Sequence, residues 1–255
     1  MARVTGRRVA LTPARRAIVE VMRLSAGVPL VTVERAMDLR GLVEARAGRP
    51  TPPSWAAIFT KAYGQVAARH AELRRAYMAW PWPHLYQADQ SVASVAVERD
   101  HGGEPCVFFA SIGSPERHTL AGLQAALTGA KREPVEAVRH YRRMLRHAAL
   151  PWPLRSWAFR WGFHRSGHSR AKNFGTFGLT VTAGLGATLE TLVTPLTTTL
   201  TYGPVAADGL ARVRLAFDHR VLDGAPAARA LRALEAALTG DLVAEVRAFN
   251  ADPGP

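Results

Sequence analysis

The string at residues 218–224, Asp-His-Arg-Val-Leu-Asp-Gly, holds the side chains of this sequence whose types and spacing best suit acid–base chemistry. It follows an alternating apolar segment, ARVRLAF, so we expect His219 at the end of a strand, where its ring can project into a cleft as a general base. Asp223 can fix the local backbone or pair with an arginine, and Gly224 permits a turn conformation that a side chain would block. By spacing alone, an ordinary histidine in a strand-to-helix turn is the simpler interpretation.

The complete string is more specific than its spacing. His-x-x-x-Asp-Gly is shared by several CoA- and carrier-dependent acyltransferase families. The form DHRVLDGA, near the C-terminus and followed by an Ala/Leu-rich helix, resembles the catalytic domain of the acyltransferase components of 2-oxo-acid dehydrogenase complexes. That family is related to chloramphenicol acetyltransferase. Peptide-synthetase condensation domains resemble it less, since they carry a second histidine where this chain has Asp218. The plant acyltransferases with this motif carry an Asp-Phe-Gly-Trp-Gly signature that is absent here.

Further segments resemble the same family, in the same order along the chain. GTFGLTVTAGLGA is similar to the family's Gly-Thr-Phe-Thr-Ile-Ser-Asn-Leu-Gly stretch, although Val181 stands where the family has asparagine. The other matching segments are LTPARRAIVEVM, VPLVTVERAMDLRGLVEAR, the helix from Ser54 with its HAELRRAY end, and HTLAGLQAAL. The resemblance therefore covers nearly the whole chain except residues 131–172.

The resemblance implies a fold, an assembly and a site. The fold is a two-layer α/β sandwich of mixed β-sheet and helices, of the chloramphenicol acetyltransferase type, as one domain over residues 1–255. It implies a homotrimer, or a multiple of trimers, with each active site at a subunit interface. His219 would take the proton from an acceptor that then attacks an acyl-CoA thioester. Thr180 occupies the position of the family's oxyanion-binding serine, which comes from the neighbouring subunit, and Asp223 would be structural, paired with Arg15.

Two classes of function follow from these residues. We expect a stand-alone CoA-dependent acyltransferase with a small thiol, hydroxyl or amine acceptor, because the sequence shows no lipoyl attachment and no subunit-binding domain. The alternative is a catalytically silent trimeric scaffold of the same fold, which the threonine at position 180 and the missing lipoyl domain favour. Neither the acyl group nor the acceptor is specified by the sequence.

Residues 131–172, here called the basic segment, differ in composition from the rest of the chain. The whole sequence has 33 Lys or Arg and 20 Asp or Glu, a net charge of +13, and the basic segment contributes +9 of it. The segment also contains Trp152, Trp157 and Trp161. Three interpretations stay open: an arm packed on the trimer with its charges solvated, a contact with an anionic membrane surface, or a contact with CoA phosphates.

Several other classes of protein and site are disfavoured. Cys106 is the only cysteine, which excludes an internal disulfide and a multi-cysteine zinc site. Two pairs of histidines, at positions 140 and 147 and at positions 164 and 168, lie among arginines without a nearby aspartate or cysteine, so we expect no metal site. Charge alone does not favour nucleic acid. Since no signal peptide precedes the first helix, we expect a cytoplasmic protein, with a membrane-peripheral location as the alternative.

The elements that must position these residues are predicted from caps and periodicity. Thr12, Ser54 and Thr119 precede helical patterns, and the helix from Ser54 is predicted to continue to Tyr77. PWPHLYQ is predicted as a loop. SVASVAVER and CVFFASI form a predicted hairpin, and a helix is predicted from about Pro226. The strands fall late and in a hairpin-like order, which disfavours a doubly wound parallel sheet.

Overall fold

The computed structural model describes residues 5–250 of the chain. Its helices are α1 (Pro13–Ser25), α2 (Arg40–Ala47), α3 (Trp55–Arg69), α4 (Leu120–Arg132), α5 (Arg139–Ala148), α6 (Trp152–His164), α7 (Gly167–Phe174), α8 (Gly224–Thr239) and α9 (Asp241–Arg247). Its strands are β1 (Leu30–Asp38), β2 (Arg75–Met78), β3 (His84–Gln87), β4 (Val92–His101), β5 (Glu104–Gly113), β6 (Phe177–Leu179), β7 (Thr198–Tyr202) and β8 (Leu210–Asp218). Within residues 5–250, every helix is too short or too polar to cross a membrane.

Six strands form one mixed sheet in the order β1-β8-β7-β6-β4-β5. The short strand β6 runs parallel to both of its neighbours, β4 and β7, and the other pairs are antiparallel. The remaining strands, β2 and β3, pair as a separate hairpin. The expected mixed sheet is therefore confirmed, and its parallel pairs are confined to the centre.

One face of the sheet packs against α3, α4 and α8 and encloses the hydrophobic core. Alternate residues of β4, namely Ala93, Val95 and Val97, belong to this core, as the two-residue period of a strand requires. Phe59 of α3 stacks on Tyr202 of β7 with ring centroids 4.0 Å apart. A helical layer on one face of a mixed sheet is the two-layer α/β sandwich that the resemblance implied.

Helix-capping residues and the hairpin pattern predicted several elements correctly. The side chains of Thr12, Ser54 and Thr119 each accept a hydrogen bond from a backbone N–H in the first turn of the helix that follows. The predicted hairpin is formed by β4 and β5, which pair in continuous register around a Gly-Gly turn. These features depend only on residues close together in sequence, which is why a sequence pattern could predict them.

The predicted extent of the helix from Ser54 was wrong. Helix α3 ends at Arg69, and His70 adopts an extended conformation that begins a short 3₁₀ turn. Tyr77 lies in β2, which pairs with β3, so the HLYQ part of the predicted loop is also a strand. Both errors have one cause: strand pairing between two segments of the chain overrides the helical spacing of Leu73 and Tyr77.

The basic segment forms helices that pack on the rest of the chain. Helices α5, α6 and most of α7 lie within it. Helix α5 packs beside α1 and β5, α6 packs beside α1, and α7 packs beside α6 and β4. Tyr141 of α5 is fully buried, with its ring centroid 4.8 Å from that of Phe108 in β5. Phe159 of α6 packs with Ala17 and Val21 of α1 in a second small cluster. The segment is therefore an integral part of the packed structure.

Glu20 of α1 joins the basic segment to the rest of the fold. Its side chain is 2% exposed and accepts hydrogen bonds from Arg155 Nε at 2.9 Å and Ser156 Oγ at 3.0 Å. Burial raises the pKa of the Glu20 carboxyl, but the hydrogen bonds from Arg155 and Ser156 and the charge of Arg23 outweigh burial and hold the pKa below its ordinary value. This buried ion pair docks α6 on α1.

A second buried arginine holds α7. Arg170 donates from Nη1 to the Tyr77 carbonyl at 2.8 Å and from Nη2 to the Pro195 carbonyl at 2.7 Å. Its guanidinium lies 4.1 Å from the centre of the Phe163 ring. Burial lowers the pKa of Arg170 to about 10, although the negative charge of Asp218 acts to raise it. The interpretation of the segment's charges as solvated is therefore wrong for Arg155 and Arg170, which are packing residues.

We predict that Arg155→Met destabilises the protein by about 3 kcal/mol, because it leaves the Glu20 carboxylate buried without its main partner. Arg160→Met is the matched control: it changes an exposed arginine on the same helix and should alter stability by less than about 0.5 kcal/mol. Urea unfolding followed by circular dichroism measures both. Equal effects of the two changes would contradict the docking role of the Glu20–Arg155 pair.

Candidate active site

His219 lies immediately after β8, at one end of the central sheet. Its backbone N–H donates to the Pro29 carbonyl at 3.0 Å, which continues the pairing of β8 with the start of β1. Its side chain is 49% exposed, and its ring centroid lies 5.8 Å from that of Phe217. The backbone of His219 is thus held in place while its imidazole is open to an incoming molecule, as a general base requires.

The turn that carries His219 is held by an ion pair between its two neighbours. The Asp218 carboxylate is fully buried and accepts from Arg220 Nε at 2.9 Å, Arg220 Nη2 at 2.7 Å and the Arg220 backbone N–H at 3.0 Å. The Arg220 guanidinium also lies 4.5 Å from the centre of the Tyr77 ring. Because both flanking residues are held, the backbone of His219 has little freedom. Sequence reasoning missed this role, although Asp-x-Arg around a candidate base was a visible signal.

Asp223 and Arg15 are not brought together within the chain. Asp223 Oδ1 lies 3.5 Å from His219 Nδ1, and the aspartate side chain is 82% exposed. Arg15 instead donates to the Pro105 carbonyl at 3.3 Å and lies 4.0 Å from Glu104. The predicted Asp223–Arg15 pair is therefore replaced by an Asp223–His219 contact, because α1 presents Arg15 to the start of β5.

Gly224 does not have the turn role that was expected of it. It is the first residue of α8, its φ lies outside the left-handed region, and a Cβ at this position would meet nothing within 4 Å. A side chain would therefore fit here. Gly178 of β6, by contrast, is required: a Cβ would lie 2.7 Å from Thr199 Oγ1 on the neighbouring strand.

Thr180 lies far from His219 in the same chain. It follows β6, and its N–H donates to the Leu200 carbonyl at 3.1 Å. The register places it level with Arg214 of β8, five positions before His219 and two strands away. Strand geometry then separates the two residues by about 16 Å along the strands and about 10 Å across them. One chain cannot place both on a single reacting carbon.

Thr180 lines a cavity of about 330 Å³ that the basic segment covers. The sheet forms its floor, α1 forms one side, and α5 and α6 form the roof. Apolar side chains predominate, among them Met22, Val107, Phe109 and Phe159. The cavity contains Thr180 but not His219, so it adjoins only one of the two predicted catalytic groups.

His140 and His147 also line this cavity, and both side chains are half-buried. Burial, followed by the charge of Arg143, lowers the pKa of His140 to about 4, and burial also lowers the pKa of His147. Burial thus favours the neutral form of both rings. No group of three or more His, Cys, Asp or Glu that could hold a metal ion occurs among residues 5–250.

Several tryptophans of the basic segment face outward. Trp152, Trp157 and Trp161 of α6 are 63%, 60% and 49% exposed, and the last two stack with centroids 5.4 Å apart. The membrane contact itself stays a prediction.

No family model matches the sequence, and no curated protein sequence matches it. Solved structures do match. The dihydrolipoamide acetyltransferase of Azotobacter vinelandii, investigated for the role of a serine, a histidine and an asparagine in its catalytic mechanism, gives a TM-score of 0.64 at 18% identity, over 95% of this chain and 94% of that one. The cubic core of the pyruvate dehydrogenase multienzyme complex gives 0.63 at 17% identity, over 95% and 94%.

Chloramphenicol acetyltransferase gives a TM-score of 0.50 at 12% identity, over 86% of this chain and 94% of that one. At these identities the matches establish the fold. The chloramphenicol acetyltransferase-like sandwich implied by the sequence resemblance is therefore confirmed, over nearly the full length of the chain.

We predict that Asp218→Asn lowers the free energy of unfolding by about 2 kcal/mol, because Arg220 loses its charged acceptor in a buried position. Asp89→Asn, at an exposed position, should change stability by less than about 0.5 kcal/mol. Thermal unfolding by calorimetry tests both. If the two variants were equally stable, the ion pair would not be what holds the His219 turn.

Proposed function

We propose that this protein is a CoA-dependent acyltransferase, in which His219 of one chain acts together with Thr180 of a neighbouring chain. The observation that carries the proposal is an open imidazole on a rigid turn, within the specific string DHRVLDG, in a fold shared with acetyltransferase cores. In the Azotobacter protein the investigated histidine and asparagine are four positions apart, as His219 and Asp223 are here.

The reaction follows from the chemistry of these groups. The imidazole of His219 removes a proton from the thiol, hydroxyl or amine of the acceptor, whose lone pair attacks the thioester carbonyl of the acyl-CoA. Asp223 lies beside Nδ1, which leaves Nε2 for the acceptor. The carbonyl π electrons move to oxygen and form a tetrahedral oxyanion. The intermediate then collapses, the C–S bond breaks, and the CoA thiolate takes the proton from the imidazolium.

Thr180 is the donor we assign to the oxyanion. A preorganised hydroxyl aimed at the developing charge is worth about 3 kcal/mol in such sites. Its backbone is fixed by the hydrogen bond to Leu200, and the residue lines a cavity that could admit the acyl group. The additional methyl group, compared with serine, restricts the rotation of this hydroxyl.

The distance between Thr180 and His219 supports a site shared between chains. We propose a closed homotrimer, since cyclic symmetry lets every His219 meet the Thr180 of the next chain and leaves no site incomplete. The match to the cubic core of the pyruvate dehydrogenase complex, itself a higher assembly, supports such a fold as a building block.

We predict that His219→Ala lowers the acyl-transfer rate at least 100-fold, because the acceptor loses its general base. The assay follows release of the CoA thiol from acetyl-CoA and longer acyl-CoAs across a panel of thiol, hydroxyl and amine acceptors. Arg229→Ala changes an exposed side chain on α8 and serves as the control. Equal, measurable activity of wild type and His219→Ala would contradict the role of His219, and no activity in either would leave the catalytically silent scaffold.

Co-expression tests the shared site directly. Thr180→Val should lower the acyl-transfer rate by about 100- to 1,000-fold. His219→Ala should lower this rate by a similar factor. When the two variants carry different affinity tags and mixed trimers are purified through both, about one third of the interfaces join an intact His219 to an intact Thr180. We therefore expect about one third of wild-type activity.

The control for this experiment pairs His219→Ala with a chain carrying both changes, in which no interface is intact. Mixed trimers of the two single variants that stay as inactive as this control would overturn the shared site.

A further inference from the structure

A cationic groove adjoins the apolar cavity that Thr180 lines. The groove measures about 830 Å³ and lies between α4, the edge strand β5 and α5. Its basic side chains include Arg139, Arg142, Arg146 and Lys172, and its one acidic side chain is Glu133. None of these four cations forms an ion pair with a carboxylate among residues 5–250.

This uncompensated positive charge favours the binding of an anion. The groove's arginines come from one helix, α5, where their spacing places several guanidinium groups side by side. The pKa of Arg143 is lowered first by burial and then by the charges of Arg139 and Arg146. Like charges held this close repel one another, and an oxyanion with several acceptor oxygens relieves that repulsion by accepting from more than one arginine. A phosphate ester fits this description.

The groove and the cavity are adjacent. His140 and Arg143 line both of them, so these two side chains of α5 form the shared wall. On one side of this wall the lining is mainly apolar, and on the other side it is mainly cationic. A ligand that occupies both must therefore be apolar at one part and anionic at another.

The size of the cavity bears on the apolar part of the ligand. Its volume of about 330 Å³ falls at the lower end of the roughly 300–1,000 Å³ typical of small-molecule sites. An acetyl group would leave most of it unfilled. An aliphatic chain would fill it and bury apolar surface against Met22, Val107 and Phe109.

We propose that the basic segment builds a binding site for acyl-CoAs with an aliphatic acyl chain, in which the apolar part of the ligand occupies the cavity and its phosphate groups bind the α5 arginines. This inference rests on the proposed acyl transfer and names its substrate class. It also assigns the segment a role: α5 and α6 form the roof of the cavity, α5 forms the wall of the groove, and both helices lie within the segment.

Gly162 of α6 offers a way to fill the cavity. It lines the cavity, and a Cβ built on it would lie 3.9 Å from Phe174 Cε2 and 4.0 Å from Asn173 Nδ2, which is ordinary contact. Gly162→Leu should therefore fold and occupy space that the acyl chain needs. Ala228→Leu, at an exposed position on α8, is the matched control for adding a leucine to a helix.

The test measures binding by calorimetry, with His219→Ala protein as the background so that no turnover occurs. We expect dodecanoyl-CoA to bind at least tenfold more tightly than acetyl-CoA. Gly162→Leu should weaken dodecanoyl-CoA at least tenfold and leave CoA itself unchanged, whereas Ala228→Leu should change neither. Equal affinity for the two acyl-CoAs, or no effect of Gly162→Leu, would overturn the assignment of the cavity.

The groove is tested separately by removing its charges. Arg142→Gln and Arg146→Gln should each weaken CoA about tenfold, since a hydrogen bond between charged groups is lost. Arg229→Gln on α8 should leave binding unchanged. CoA without its 3′-phosphate, inorganic pyrophosphate and vesicles of anionic phospholipid are the comparison ligands. Vesicles that compete with CoA and lose affinity in both groove variants would replace the assignment with a lipid surface.

These results separate the two proposals. Retained binding with the expected chain-length preference, in a protein that transfers no acyl group to any acceptor, would defeat the proposed function and leave the binding site standing. Acyl transfer from acetyl-CoA that is insensitive to Gly162→Leu and to the groove variants would defeat the binding site and leave the proposed function standing.

Discussion

The register of the central sheet sets the distance between Thr180 and His219, and the functional interpretation depends on that distance. β6 ends beside the middle of β7. β8 continues further, and its last residue pairs with the first residue of β1. Thr180 therefore lies level with Arg214 at the middle of β8, whereas His219 lies just past the end of that strand and two strands away. A rigid sheet cannot bend to bring them together, so a site that uses both must be built between chains. Each chain then contributes one half to each of two sites.

The arginines of this protein serve two distinct purposes. Arg155, Arg170 and Arg220 hold helices or a turn in place through buried or half-buried contacts with Glu20, backbone carbonyls and Asp218. Among residues 5–250, the arginines of α5 form no ion pair with a carboxylate, and they face a groove. The charge excess is thus divided between packing and an exposed anion-attracting surface, which a net charge alone cannot distinguish.

Docking of the basic segment also creates the cavity. Because the Glu20–Arg155 pair fixes α6 on α1, and Tyr141 anchors α5 on β5, the two helices cover a sheet face that would otherwise be open. The cover is incomplete, and the space beneath it reaches Thr180. The same segment therefore adds both an apolar space and a charged rim to a fold whose candidate catalytic string, residues 218–224, lies elsewhere.

The sequence by itself determined the features that depend on neighbouring residues: the helix caps, the β4–β5 hairpin, and the turn that exposes His219. These follow from backbone preferences and from spacing within a few positions. The fold class also followed, since its motifs occur in order along the chain. The helix predicted to Tyr77, the Asp223–Arg15 pair and the special role of Gly224 were wrong, because each is decided by what another segment places nearby. The sequence showed where the charge lies, but only the tertiary structure decided which arginines are buried and which line a groove, since that depends on how α5, α6 and α7 pack against α1 and the sheet.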